Sequence, residues 1–172
     1  MTDEPSHRPL RSALFVPGDK PRAIEKAPVL GADALMLDLE DAVAPPNKDA
    51  ARAAAPEAIA AFRASGAVAV LRVAAPDSPD LDAALACAAA ARPDVVLVAK
   101  VEHPETLIPV RRRLTDAGAE PALWAMIETP RAILDLDAFA RKGPGLGLAA
   151  LVAGTNDLAE QLRLPEHARR SG

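Results

Sequence analysis

Short runs of apolar residues recur along the chain, each about as long as a β-strand. Each run is nearly continuous and does not alternate with polar residues, which is typical of parallel strands covered on both faces. The pattern predicts six strands, at residues 13–16, 34–39, 68–73, 95–98, 123–127 and 149–153.

The segments between these runs carry the start signals of helices. Pro21, Pro104 and Pro130 suit the first turn of a helix, and Asn47 and Thr129 are suited to cap one. The pattern predicts helices at residues 21–30, 47–64, 79–91, 104–117, 130–141 and 156–163. A strand is therefore followed by a helix six times along the chain.

Alternation of strands and helices predicts a parallel sheet with right-handed crossovers. Both a doubly wound open sheet and part of a (β/α)₈ barrel agree with this α/β pattern. A complete barrel takes about 250 residues, whereas this chain has 172 residues and provides six βα units. We expect one domain over residues 11–172, preceded by a flexible tail at residues 1–10.

The composition narrows the range of partners. Lys and Arg number 20 and Asp and Glu number 24, a formal net charge of −4, and the chain has three Phe, one Trp and no Tyr. We expect no nucleic-acid partner, because there is neither a basic field nor a set of stacking rings. Without an apolar stretch of roughly 20 residues, and without a secretory signal in residues 1–12, we expect no membrane partner and a cytoplasmic location.

Two features that could suggest chemistry have structural explanations. Cys87 is the only cysteine and lies in the alanine-rich run 83–91, where it is read as a small buried residue. The glycine-rich stretch 143–147 precedes a predicted strand and matches neither phosphate-binding spacing. It is therefore interpreted as a turn from a helix into a strand.

Charged and polar side chains follow the predicted strands, at the ends where parallel α/β folds place their ligands. The strand entries instead carry turn residues such as Gly31 and Pro93. We expect one functional site at the carboxyl ends of the strands. Asp19 and Lys20 are expected on its rim, with Asp19 also suited to cap the next helix.

Glu128 and Asp157 follow the fifth and sixth predicted strands. If these strands are neighbours, the two carboxylates converge on one point, and Mg²⁺ is the cation that suits them best. The alternative is that each acid only stabilises the start of a helix. Zinc is not expected, because His103 has no second His or Cys at ligand spacing.

A second group of charges contains three acids and two bases. Asp38, Glu40 and Asp41 belong either to the site or to a solvated turn. Arg72 lies inside an apolar run and is costly to bury unless it meets an anion. Lys100 ends an equally apolar strand and is a second candidate anion contact. Ion pairs with the neighbouring acids are the alternative for both bases, a more serious one for Lys100.

Six segments, in order, resemble the HpcH/HpaI aldolase and citrate lyase β-subunit family, in its CoA-ester lyase branch. They are "RSALFVPGDKPR" (11–22), "GADALMLDLEDAVAP" (31–45), "LRV" (71–73), "AKVEHPE" (99–105), "IETPRAIL" (127–134) and "GTNDLAEQL" (154–162). The resemblance implies a TIM-barrel type (β/α)₈ fold with about six units in this chain. It also implies an enzyme that joins or cleaves a CoA thioester and a 2-oxo acid, with Mg²⁺ as cofactor.

The resemblance also assigns roles to individual residues. Glu128 and Asp157 match the metal ligands, and Arg72 matches the arginine that holds the oxo-acid carboxylate. Glu40 would lie near the metal and its waters, and Lys100 matches the lysine of the fourth strand motif. The predicted substrate-binding set is therefore Arg72, Glu128 and Asp157, and the predicted catalytic set is Arg72, Glu40 and Lys100.

Two departures from the family pattern stand out. Ala74 and Ala75 follow Val73 where the family often has Asn, so substrate contacts there are expected to differ. The family also continues beyond this point to close the barrel, so strands seven and eight are expected to be absent from this sequence. An open six-unit barrel exposes two sheet edges, from which we expect either self-association into a homo-oligomer or instability.

The sequence thus predicts a Mg²⁺-dependent Claisen-type lyase that converts a 3-hydroxyacyl-CoA, such as citryl-CoA or malyl-CoA, into acetyl-CoA and a 2-oxo acid. The proton-transfer group is either Glu40, acting through a metal-bound water, or a residue from the absent segment or a neighbouring subunit. One alternative is a pyruvate-type aldolase acting on a free hydroxy-oxo acid. The other is a shortened, non-catalytic subunit that binds a metal or an acid.

Overall fold

The computed structural model describes residues 9–165. Residues 1–8 of the predicted tail and residues 166–172 of the predicted domain lie outside this range. Six strands form within it, namely β1 (Ala13–Pro17), β2 (Ala34–Asp38), β3 (Val68–Val73), β4 (Val95–Val98), β5 (Ala122–Ile127) and β6 (Leu148–Ala153). The α-helices are α1 (Pro21–Lys26), α2 (Lys48–Ala64), α3 (Leu81–Ala91), α4 (Leu107–Asp116), α5 (Pro130–Leu134), α6 (Leu136–Lys142) and α7 (Thr155–Gln161).

The strands form one parallel sheet in the order β1-β2-β3-β4-β5-β6, so every strand pairs with its neighbour in the sequence. This confirms the six predicted βα units and the parallel sheet. The strand boundaries agree with the predictions to within one residue. A shift of register between β5 and β6 lies at Leu123 and Trp124.

The two faces of the sheet have separate cores because side chains alternate along each strand. In β2, Leu35 and Leu37 face outward and join the large cluster that packs against the helices. Ala34 and Met36 face inward and join a smaller cluster with residues of β3, β4 and β5, including Trp124. The inner face therefore continues, at the carboxyl end of β2, with the side chain of Asp38.

The edge strands correct the expectation that every strand is covered on both faces. Along β6 the residues alternate between half-buried and exposed, and Leu151 is 41% exposed. In β1, Phe15 is 38% exposed. Each of these strands has one neighbouring strand within the described residues. Phe15 is on the inner face of β1, where it pairs with Met36, whereas Leu151 is on the outer face of β6, where it pairs with Ala125.

Three details of the helices differ from the sequence predictions or extend them. The cap at Thr129 is confirmed, because its Oγ1 accepts a hydrogen bond of 3.1 Å from the N–H of Ala132. The caps at Asn47 and Asp19 are wrong. Asn47 makes no side-chain cap and donates its Nδ2 to Asp19 at 2.8 Å instead. The predicted helix 130–141 is two helices, divided at Asp135.

Two further expectations agree with the structure. The stretch Gly143–Leu146 is a 3₁₀ turn, and it leads through Gly147, at a φ of 74°, into β6. Burial raises the pKa of the Cys87 thiol to about 11, so it stays protonated and behaves as a small packing residue. Between residues 9 and 165 no helix combines the length and apolar character needed to cross a bilayer.

Candidate active site

Asp38 and Arg72 are brought together by strand register. They are paired residues of β2 and β3, and both project from the inner face at the carboxyl ends of these strands. Nη1 of Arg72 donates to Oδ2 of Asp38 at 3.1 Å, and the side chains are only 8% and 3% exposed. The buried guanidinium is therefore paired with an acid of the neighbouring strand, which is the alternative that the sequence left open for it.

Two more carboxylates complete the surroundings of Arg72. Its Nη2 donates to Glu40 and to Oδ2 of Asp41, the latter at 2.7 Å. The guanidinium carbon lies 5.8 Å from the centre of the Phe15 ring. Nε of Arg72 is buried and has no hydrogen-bond partner among the described residues. Arg72 is thus held by three acids, while its Nε has no partner among them.

Lys100 links the two halves of the site. Its Nζ donates to Glu40 at 2.8 Å and to Asp41 at 3.0 Å, while its backbone N–H donates to Oε1 of Glu128 at 2.7 Å. Lys100 has a φ of +50°, in the left-handed region that non-glycine residues seldom adopt. The alternative of ion pairs with neighbouring acids therefore describes both bases in this structure.

The acids of this network differ in their proton affinity. Burial raises the pKa of Glu40, and its side-chain contact with Asp41 raises it further. Burial also opposes ionisation of Asp41, but hydrogen bonds from Glu40 and Lys100 outweigh it and lower the Asp41 pKa to about 2. Of these two neighbouring carboxyl groups, Glu40 is therefore the one better placed to hold and release a proton.

Glu128 follows β5 and lies in a cavity of about 510 Å³ that is also lined by Arg72 and Asp157. The Glu128 pKa is raised to about 7, first by burial and then by its contact with the Asp157 carboxylate. The hydrogen bond from Lys100 and the charge of Arg72 oppose this rise. Two acids facing each other in this way have a reason to bind a cation.

Gly154 shapes the space beside Glu128. It lies between β6 and Asp157 of α7, and its N–H donates to the carbonyl of Ile127 at 2.9 Å. A Cβ added at position 154 would lie 2.4 Å from Cβ and 2.7 Å from Oε2 of Glu128. Oε2 of Glu128 therefore needs a glycine beside it.

The donor set of this cavity fits Mg²⁺. Two carboxylates are available, and Mg²⁺ commonly takes one or two from a protein and fills its other positions with water or substrate oxygens. Among residues 9–165 there is no group of three or more His, Cys, Asp or Glu that could hold a metal.

The structure assembles every residue of the predicted site in two connected groups. Arg72, Glu40 and Lys100 form one ionic network, and Glu128 and Asp157 share the cavity. Their catalytic, substrate and metal roles remain predictions. Lys20 and Asp19 do not line this cavity, and Asp19 lines a separate groove.

Sequence reasoning missed several contributions to the site. Asp41 was noted only as one of three acids, yet it bonds both Arg72 and Lys100. The supporting role of Gly154 and the backbone contact of Lys100 had no signal in the residue pattern. His103 was considered only as a zinc ligand, and nothing in the sequence indicated that its Nδ1 lies 2.8 Å from Oδ2 of Asp135, where the predicted helix is divided.

Comparison with known proteins gives a family and several relatives. The model of the HpcH/HpaI aldolase/citrate lyase family matches residues 11–171. A (3S)-malyl-CoA thioesterase of Cereibacter sphaeroides is 38% identical over 154 residues, which are 90% of this chain and 52% of that protein. The citrate lyase subunit beta of Leuconostoc mesenteroides is 34% identical over 110 residues, 64% of this chain and 36% of that protein.

A solved structure with the same fold is the citrate lyase beta subunit of M. tuberculosis, complexed with oxaloacetate and magnesium. It has a TM-score of 0.70 and 28% identity, over 88% of this chain and 60% of that chain. The curated malyl-CoA thioesterase relatives match 90% of this chain. The chain, however, spans only about half of their length. These matches confirm an α/β fold of the TIM-barrel type, of which six βα units are present here.

Proposed function

The chain belongs to the HpcH/HpaI aldolase/citrate lyase family, and on that basis we propose that it is a Mg²⁺-dependent lyase for a 3-hydroxyacyl-CoA. The products would be acetyl-CoA and a 2-oxo acid, with malyl-CoA and citryl-CoA as the substrates to test first. One observation carries the proposal: Glu128, Asp157 and Arg72 line a single cavity at the carboxyl ends of parallel strands.

Glu128 and Asp157 are the residues that would hold the metal. When bound, Mg²⁺ acts as a Lewis acid toward the oxygen on which negative charge develops. Lys100 keeps one oxygen of Glu128 engaged through its backbone N–H, and Gly154 avoids a collision with the other. The complex of the M. tuberculosis citrate lyase beta subunit with oxaloacetate and magnesium supports this choice of metal.

Arg72 would bind the carboxylate of the oxo-acid part of the substrate. A guanidinium binds a carboxylate through two parallel hydrogen bonds, which fixes the orientation of the acid. The half-exposed Asp41 occupies one of the Arg72 donors and is the most accessible of its three partners. A substrate carboxylate would take the place of Asp41 with little change of charge around the guanidinium.

Glu40 is the proton-transfer group that we propose. In cleavage, the proton of the 3-hydroxyl group leaves, the bond between C2 and C3 breaks, and C2 of the acetyl-CoA enolate gains a proton. Glu40 is the member of its acid pair with the raised pKa, and hydrogen bonds to Arg72 and Lys100 hold its side chain in place. It would accept the hydroxyl proton and return it to carbon.

A second candidate function is hydrolysis of the thioester bond of the same class of substrate. The observation that favours it is the 38% identity to a (3S)-malyl-CoA thioesterase over 90% of this chain. Both reactions would use the same acid-binding residues. They differ in the bond that breaks. The lyase reaction breaks the bond between C2 and C3, whereas hydrolysis breaks the bond between the thioester carbon and sulfur, so the products distinguish them.

The test is an assay of the full chain with (3S)-malyl-CoA and citryl-CoA, with Mg²⁺ or with a chelator, and with products identified by mass spectrometry. Acetyl-CoA with an oxo acid indicates the lyase, whereas free CoA with malate or citrate indicates the hydrolase. Cleavage of a free 4-hydroxy-2-oxo acid alone would favour the aldolase alternative. Metal binding without turnover of any substrate would overturn the proposal and favour a non-catalytic subunit.

We also propose that the protein forms a homo-oligomer in the cytoplasm. The support for association is that β1 and β6 are both open edges of the described sheet. Sedimentation at several concentrations tests this point. A single monomeric species over the whole range would contradict it.

A further inference from the structure

The proposed function uses the ammonium group of Lys100 only to hold Glu40. This group also donates to Oδ1 and Oδ2 of Asp41, at 3.0 and 3.1 Å. Lys100 lines a neighbouring cavity of about 350 Å³ and not the cavity of Glu128. Among residues 9–165, Asp41 is the residue that both lines the Glu128 cavity and bonds the ammonium group.

The carboxylate of Asp41 lies between two cationic groups. Its Oδ2 is 2.7 Å from Nη2 of Arg72 and 3.1 Å from Nζ of Lys100. The guanidinium and the ammonium group therefore form one anion-binding position, which a single carboxylate fills. Because the Asp41 pKa is lowered to about 2, this carboxylate is charged at neutral pH.

Arg72 has to give up a present partner before it can bind another carboxylate through two hydrogen bonds. Its Nη2 has two hydrogens, and Glu40 and Asp41 accept both. A carboxylate that approaches a guanidinium end-on uses Nη1 and Nη2, and one that approaches side-on uses Nε and Nη2. Since either arrangement needs Nη2, a bidentate acid displaces Glu40 or Asp41.

Asp41 is the partner that can leave. Its side chain is 50% exposed, whereas that of Glu40 is 11% exposed and is also bound by Lys100. The turn that carries both acids is held by the N–H of Asp41, which donates to Oε2 of Glu40 at 2.7 Å, and by the N–H of Val43, which donates to the Glu40 carbonyl at 3.2 Å. Neither contact involves the Asp41 side chain, so its rotation into solvent leaves the turn intact.

We propose that the carboxylate of the substrate acid is bound by Arg72 and Lys100 together, at the position that Asp41 fills in this structure. Asp41 is then an internal competitor of the substrate, and Lys100 is a substrate-binding residue. The inference rests on the proposed function, in which Arg72 binds the oxo acid. Exchange of one carboxylate for another keeps the charge of the position, whereas a neutral ligand there would leave two cationic groups unpaired.

The first experiment titrates the full chain with pyruvate and with pyruvamide, its uncharged amide, by calorimetry in the presence of Mg²⁺. Asp41→Asn removes the competing charge and should strengthen pyruvate binding at least about fivefold. Pyruvamide should show no such gain, because it has no carboxylate to take the vacated position.

Glu102→Gln is the matched control for a general effect of charge. Glu102 is exposed, lies two positions from Lys100 and does not line the Glu128 cavity. Loss of its charge should change pyruvate binding less than about twofold, because charges exposed to solvent are screened.

The second experiment tests Lys100 where Asp41 no longer competes. Adding Lys100→Met to Asp41→Asn should weaken pyruvate binding at least about fivefold, because one of the two cationic groups is lost. Methionine keeps the backbone N–H that bonds Glu128. A loss caused only by displacement of Glu40 would weaken pyruvamide binding as well, whereas loss of a contact to the carboxylate would not. Urea unfolding of each variant checks that it is folded.

Pyruvate binding that is unchanged or weaker in Asp41→Asn would show that Asp41 is not a competitor. An equal gain in Glu102→Gln would mean that general charge explains the effect. Unchanged binding after the addition of Lys100→Met would remove Lys100 from the substrate contacts. Absence of pyruvate binding in the native chain and in all variants would overturn the proposal as a whole.

The two proposals fail in different ways. If neither malyl-CoA nor citryl-CoA is turned over, the proposed function fails, and the pyruvate titrations still test the shared carboxylate position. If an ester is turned over but Asp41→Asn brings no gain in pyruvate binding, only the shared position fails.

Discussion

The backbone N–H of Lys100 donates a hydrogen bond of 2.7 Å to Oε1 of Glu128, and Lys100 has a φ of +50° in this arrangement. A strained backbone at one residue therefore orients the carboxylate that is proposed to hold the metal. The side chain of the same residue reaches the opposite group of acids. Lys100 thus contributes to the site both through its backbone N–H and through its side chain, and mutation can separate the two contributions.

The backbone action of Lys100 predicts an unusual order of stability. Glycine adopts a positive φ without the steric cost that a Cβ brings, so Lys100→Gly should be more stable than Lys100→Ala by about 1 kcal/mol. Urea unfolding measures the difference. The control pair is native Ala60 against Ala60→Gly in the middle of α2, where glycine should be the less stable residue by about 1 kcal/mol. The same order at both positions would contradict the prediction.

Gly154 predicts a steric effect on the metal. A methyl group at this position collides with Glu128, so Gly154→Ala should displace the carboxylate and weaken Mg²⁺ binding by about tenfold or more. Calorimetric titration with Mg²⁺ is the measurement. Gly145→Ala is the control, because a Cβ at Gly145 meets nothing within 4 Å. An unchanged Mg²⁺ affinity in Gly154→Ala would show that Glu128 does not bind the metal.

The buried pair of Arg72 and Asp38 predicts a large change in stability. Arg72→Met leaves Asp38 without its buried partner and should lower the free energy of unfolding by about 3 kcal/mol. Adding Asp38→Asn to that variant removes the unpaired charge and should recover part of the loss. Denaturant unfolding of the single and double variants gives the coupling energy. Additive losses would mean that the two groups do not stabilise each other.

The raised pKa of Glu128 predicts how stability depends on pH without metal. The folded state holds the proton up to about pH 7, whereas an unfolded glutamate loses it near its ordinary value of 4.5. The contribution of this group is therefore complete below the unfolded pKa and is lost as pH rises through 7. Relative to Glu128→Gln, the native chain should lose on the order of 2 kcal/mol between pH 4 and 8.

Thermal or urea unfolding of both chains at several pH values, with a chelator present, measures this difference. The glutamine variant keeps an oxygen that can accept the N–H of Lys100, so it serves as its own structural control. Parallel stability profiles for the two chains would contradict the prediction.

The sequence predicted the elements and the composition of the site, because both depend on local pattern. Uninterrupted apolar runs located the strands. The charged residues at or near the carboxyl ends of these runs, including Arg72, Glu128 and Asp157, were therefore expected at one end of the sheet. A resemblance in six segments then assigned roles. The register that pairs Asp38 with Arg72 was not predicted, because two neighbouring parallel strands can pair in more than one register.

The remaining features depend on contacts between residues far apart in the chain. A left-handed backbone at Lys100 cannot be read from a lysine, since glycine and asparagine are the residues that signal it. Nζ of Lys100 meets Glu40 across 60 positions of sequence. The cap assigned to Asn47 was wrong because its side chain found Asp19, 28 positions away, and not its own helix.

The strand order has a consequence for how the protein is made. Every pairing joins a strand to the one synthesised just before it, roughly 20 to 35 residues earlier. Each βα unit of the described sheet can therefore add to a preformed edge as it leaves the ribosome. The residues of the site are thereby delivered one after another to a surface that already exists.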